Sequence, residues 1–295
     1  MRRAWWSIGH LSIGPMPPVV LPFIAATVMT LTSSCTTSHG PKLPKPGASQ
    51  SATGGVVGPA AGGPGFVRRP ANTAASLTAA VGYVRARTPV PILAPKSING
   101  VPAGGVLSAT AIADATSYEI SLWLCSPALP LNDASIGSAA CGGNDRFHGD
   151  FGAQLQESAA AAQAALPGLA ATAPDPSCAT TTTTGTVDIG GGIEATTLLC
   201  QGTVNPLQAH WSHANWDYVY DFGATGATGW EQILANVSTH LSTHPLPSTH
   251  GVFSVNVEDD GLHSQAAWAI GAIVYTAYDG HSDANVADLV ESMEP

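Results

Sequence analysis

The sequence predicts an α+β fold: a mainly antiparallel sheet with a few packed helices, stapled by disulfides and preceded by a disordered tether. Three observations carry that reading. Trp216, Tyr218, Tyr220 and Phe222 alternate strictly with Asp217, Val219 and Asp221, the period of a half-buried strand. Candidate strands follow one another along the chain with helical stretches inserted, the order expected of antiparallel pairing. Four cysteines remain once Cys35 is set aside, an even set that suits a cross-linked, exported domain.

Taken from the amino terminus, Met1-Arg2-Arg3 is a short positive segment. An apolar run follows, best developed over residues 18–31, and Thr32-Ser33-Ser34-Cys35 closes it with small residues. A run of about 14 residues is too short for a bilayer core, which needs about 20. Its layout is that of a secretory signal. These residues resemble the lipobox of bacterial lipoproteins, whose cysteine is lipidated and becomes the new amino terminus. The chain departs from that pattern at Thr32, where the family has an aliphatic residue; Leu31 stands one place early. The resemblance spans residues 1–35, implies lipidation at Cys35, and concerns export and anchoring alone. Secretion with cleavage near Ser34 and an uncleaved anchor are the alternatives.

Residues 36–71 are rich in Gly, Pro and Ser and cannot repay their ordering entropy by burying apolar surface. They read as a flexible tether. The folded domain is expected over residues 72–295. Leu77, Val81 and Val84 have the spacing of a short amphipathic helix, and Pro89, Pro91 and Pro95 force an extended connector after it. Tyr118–Cys125 alternates as a strand. Residues 149–166 read as a helix stopped by Pro167, and the Thr- and Gly-rich residues 175–192 as a loop. Residues 229–240 read as a helix, with Thr228 and Glu231 as a capping box. Val252–Val257 is a strand, Asp260-Gly261 a hairpin turn, and residues 266–278 one long buried strand or a buried helix. Residues 282–293 close the chain as a helix.

The cysteines Cys125, Cys141, Cys178 and Cys200 allow three pairings. The sequential one, Cys125–Cys141 with Cys178–Cys200, closes two short loops worth about 3 kcal/mol each on the chain-entropy account.

Charge excludes one large class of function. Only 10% of residues are charged, against about 25% in ordinary chains. All twenty carboxylates lie after Lys96 and Arg146 is the one basic residue there, so residues 97–295 carry a formal −19. Such a body repels phosphate backbones, and nucleic acid is not a partner.

Candidate chemistry is sparse. Neither G-x-S-x-G nor S-x-x-K occurs, so nucleophilic catalysis lacks its signatures and no cofactor is indicated. His240 and His244 have the i, i+4 spacing that can put two imidazoles on one metal, with His250 as a third candidate. No glutamate follows His240 as H-E-x-x-H requires, and Pro245 ends the helix, so polar loop histidines are the expectation. The aromatic set Trp211, Trp216, Tyr218, Tyr220 and Trp230 could stack on sugars or peptides if exposed. Strict alternation favours its burial as the core face of a sheet.

The sequence therefore points to an extracytoplasmic, lipid-anchored binding or envelope-associated protein rather than an enzyme. Its expected partners are the membrane, through the lipidated amino terminus, and a cell-wall polymer or envelope protein. A secreted hydrolase acting on wall polymers and a histidine-rich metal-binding protein are the alternatives.

Overall fold

Ten strands join edge to edge into one sheet, and the way their side chains alternate decides what each face of it can do. The computed structural model describes residues 69–70, 75–102, 105–141, 147–170, 181–200, 208–222, 229–258, 261–279 and 283–294. In chain order the elements begin with β1 (Arg69–Pro70), α1 (Ala75–Arg85), β2 (Ala94–Pro95) and β3 (Ser97–Ile98). Then come β4 (Leu107–Ala113), β5 (Ser117–Leu124), β6 (Phe147–Leu155), α2 (Ala159–Ala170), β7 (Thr181–Asp188) and β8 (Glu194–Cys200). The last part holds β9 (Gln208–His213), β10 (Trp216–Asp221), α3 (Trp230–Thr243), β11 (Gly251–Glu258), β12 (Gly261–Ile270), β13 (Ile273–Asp279), α4 (Asp283–Glu291) and β14 (Met293–Glu294). Cys35 and Cys178 lie outside the described residues, as does the expected tether over residues 36–71 apart from Arg69–Pro70, which pair with β3 as strand β1 and so correct the end of that tether.

The strand order is β4-β5-β6-β13-β12-β11-β10-β9-β8-β7. Every neighbouring pair is antiparallel except β10 and β11, which run parallel with α3 as the crossover between them. The α+β, mainly antiparallel expectation is therefore what the chain forms. The Cys125–Cys141 disulfide is present.

On the first face, α1, α3 and α4 bury Leu77, Val84, Leu234, Val237, Val286 and Val290 against the sheet. The sheet answers with Tyr118, Ile120, Phe151, Tyr218, Tyr220, Phe253, Trp268 and Tyr275. Trp216 lies directly across from Gly251 on β11. A Cβ on Gly251 would stand 2.6 Å from the Trp216 ring, so only glycine lets the indole lie flat there. On the second face, α2 places Ala162 and Leu166 on Val252, Ala267, Ala269 and Val274.

Several expectations are corrected. The helix expected over residues 149–166 is a strand first, because Phe147–Leu155 pairs on both sides, with β5 and β13; the helix starts at Ala159. Pro167 does not stop α2 but lies within it. The loop expected over residues 175–192 contains β7, whose threonines pair with β8 as β-branched residues readily do. The long element over 266–278 is two strands, turned at Gly271 with φ 61°. The cap of α3 is Gly229 in the left-handed conformation with no side-chain capping bond, and Thr228 lies outside the described residues.

Candidate functional site

The histidines singled out by spacing meet a partner from another helix. α3 carries His240 and His244 on one face, and their rings stack with centroids 4.3 Å apart. α4 brings Asp288 to them, with Oδ1 3.0 Å from His240 Nε2. One ligand atom from each of the three side chains lies within 4.8 Å of the others. The groups around them fix their orientation. His244 Nδ1 lies 3.3 Å from the His240 carbonyl and 2.9 Å from Thr243 Oγ1. With Nδ1–H donating to that carbonyl, the His244 lone pair lies on Nε2. Asp288 Oδ2 accepts a hydrogen bond from Asn99 Nδ2, and Asn99 Oδ1 is buried with no partner among the described residues. His250 is not part of the cluster; its Nε2 lies 3.9 Å from Asp217 Oδ2, a separate and exposed pairing.

A second constellation lies on the second face of the sheet, beside α2. Cross-strand register lines up Ser121, Asp150, Tyr278, Gln265 and Ser254 over β5, β6, β13, β12 and β11. The neighbouring row is His263, Asn256, Asp221 and Gln208. Side-chain bonds tie the rows into a network: His263 Nδ1 to Tyr278 OH at 2.9 Å, and Gln208 Nε2 donating to Asp221 Oδ2 at 2.9 Å. His210 Nε2 lies 3.1 Å from Gln208 Oε1. Asn256 Oδ1 is buried with no partner among the described residues.

One end of this polar strip is walled by aromatic rings. Phe147 stacks on Tyr278 at 5.8 Å and meets Trp123 edge-on at 5.0 Å. The Cys125–Cys141 loop closes over Trp123 and Phe147. Electrostatics follow from this enclosure. Burial pushes the half-buried Asp150 carboxyl up to about 7, and the Glu119 carboxylate adds repulsion. Burial pushes His210 below the ordinary imidazole value, while Asp221 partly opposes that shift.

The expected aromatic set is elsewhere. Trp211, Trp216, Tyr218 and Tyr220 are buried in the first-face core, and Trp230 packs partly buried against them. Trp211, Trp216, Tyr218 and Tyr220 form the wall between sheet and helices and present no stacking surface, while Trp230 stays partly exposed. Sequence reasoning missed Asp288, Asn99, Asp150 and Tyr278. Asp288 and Asn99 come to the histidines from distant segments, and the Asp150–Tyr278 pair exists only through strand register.

Compared with family models, curated proteins and solved structures, the chain matches none.

Proposed function

We propose that this chain is an exported, envelope-tethered binding module whose folded domain holds a hydrogen-bonding polymer segment, such as a wall glycan, along its second face. The observation that carries this reading is the pair of polar cross-strand rows beside the Phe147–Tyr278 stack, on the face that α2 only partly covers. Rows of amide, hydroxyl and imidazole groups next to aromatic rings suit a sugar, which presents hydroxyls at its edge and C–H groups on its face. The acidic body favours a neutral or cationic polymer over a polyanion.

Export and anchoring rest on Arg2-Arg3, the apolar run and Cys35. Cys35→Ser is expected to release the protein from the membrane fraction; retention of the variant would remove the lipid anchor from the reading. Binding is tested by titrating soluble wall-glycan fragments into the purified domain and following amide shifts by NMR. Shifts centred on Tyr278, Gln265 and His263, abolished in Tyr278→Ala, support the reading. Fragments that bind elsewhere, or not at all, defeat it.

A second reading is hydrolysis of the same polymer, favoured by Asp150 lying near Glu119 with its carboxyl raised to about 7. A protonated acid beside an ionised carboxylate is the pairing that glycoside cleavage uses. Release of reducing ends by the parent chain, lost in Asp150→Asn, would replace binding with catalysis.

A further inference from the structure

We propose that His240, His244 and Asp288 form a binding site for a borderline divalent transition metal of the zinc class, and that the bound ion clasps α3 to α4. Two imidazoles and one carboxylate form a donor set that such ions favour over magnesium or calcium, which take mainly oxygen ligands. The three ligand atoms already lie within 4.8 Å of one another. Binding an ion at about 2.0–2.1 Å would draw these atoms closer, to the roughly 3.3 Å between donors of a tetrahedral site.

The supporting groups strengthen the case beyond the three ligands. A metal-bound imidazole normally donates its other N–H to a carbonyl or carboxylate, and His244 Nδ1 already faces the His240 carbonyl. The far oxygen of Asp288 is held by Asn99. The same Asn99 side chain keeps a buried Oδ1 with no partner among the described residues, an acceptor that a water on the ion would satisfy. Both histidines stand at the carboxy-terminal end of α3, where the helix dipole favours positive charge. An ion here takes the place of the proton now shared between His240 Nε2 and Asp288 Oδ1. Three protein ligands leave a fourth position for water or for a ligand atom, the layout of an exchangeable site.

α3 and α4 are joined by this cluster, while the Cys125–Cys141 bond staples a different part of the domain. Bound metal is therefore expected to stabilise the folded domain in proportion to the logarithm of its free concentration. The site lies on the helical side of the sheet and is independent of polymer binding on the second face.

The test is a titration of the chelator-stripped chain with Zn(II), by calorimetry and by thermal unfolding, with Mg(II) as control. Saturable binding of one Zn(II) is expected, with Tm rising as free Zn(II) rises and Mg(II) without effect. His244→Ala should weaken Zn(II) affinity at least tenfold while leaving the metal-free Tm nearly unchanged, because that side chain is half-exposed. Asp288→Asn should also weaken it, and His250→Ala should leave it intact. Zn(II) binding that survives His244→Ala, or no saturable binding at all, overturns the proposal. In either case the contact between His240 and Asp288 is only an interhelical hydrogen bond. Wall-glycan titrations of the same chain with and without Zn(II) keep the two sites separable.

Discussion

The two faces of the sheet are made from the same strands and differ only by residue parity, yet they do different work. On β13, Tyr275 and Ala277 join the core under the helices, while Thr276 and Tyr278 belong to the second face. On β10 the alternation sends Trp216, Tyr218 and Tyr220 inward and Asp217, Val219 and Asp221 outward. The first face concentrates large aromatic area in close packing and supplies most of the hydrophobic stabilisation. The second carries a modest apolar patch under α2 and a polar network beside it. Such a division lets the polar residues of the second face vary with small stability cost while the core parity stays fixed.

That comparison can be broken or sharpened by substitution. Trp216→Ala should cost the most, about 3–5 kcal/mol, because it removes a wholly buried indole and its Nε1 bond to the Pro247 carbonyl. Urea unfolding monitored by circular dichroism measures it, and a loss below about 1 kcal/mol would contradict the packing described. Replacing both Cys125 and Cys141 by serine should cost about 3 kcal/mol by closing-loop entropy and uncover Trp123. A red-shifted tryptophan emission in the serine variant would register that exposure. Gly251→Ala should cost about 1–3 kcal/mol, since its methyl group meets the Trp216 ring across the parallel pair. Pairing it with Trp216→Ala should abolish most of that cost in a double-mutant cycle.

Asp150→Asn has the smallest effect and the opposite sign. Between the ordinary carboxylate value and about 7, the folded chain keeps a proton on Asp150 that the unfolded chain has lost. Stability contributed by this group therefore falls as pH rises through that window. The asparagine variant should be more stable than the parent at pH 8, by on the order of 1–2 kcal/mol, and the gap should close toward pH 4. Equal pH profiles for both chains would show that Asp150 is solvated like a surface carboxylate.

What the sequence revealed follows from where each signal is stored. The alternation in β10, the periodic apolar positions of α1 and the residues of β5 are local, and they fold as their pattern predicts. In residues 149–166 the alanine-rich half spoke for a helix and drew the strand before it into the same reading, although Gly149, Phe151 and Ala153 alternate correctly. The threonine run of β7 looked like a loop because glycines follow it; its β-branched side chains were the overlooked signal. Ala266–Tyr278 hid its turn because Gly271 sits inside an unbroken apolar stretch. Two of the three residues in the His240–His244–Asp288 cluster were legible, since the histidines share one helix, whereas Asp288 reaches them only through the packing of α4. The polar strip was illegible, because its residues come from strands whose pairing no local pattern announces.

One pairing also governs how the chain must be assembled. β6 finds its second neighbour in β13, with Leu155 opposite Ile273, so the first meander keeps an open edge through more than a hundred residues of synthesis. Until Asp279 is available, two half-sheets wait with unpaired backbone along the seam, and β13 welds them by bonding to β6 on one side and β12 on the other. A chain cut short before β13 would therefore be no smaller version of this protein but one chain carrying two half-sheets with open edges at β6 and β12. The last large strand to be made acts as the lock on all the earlier ones.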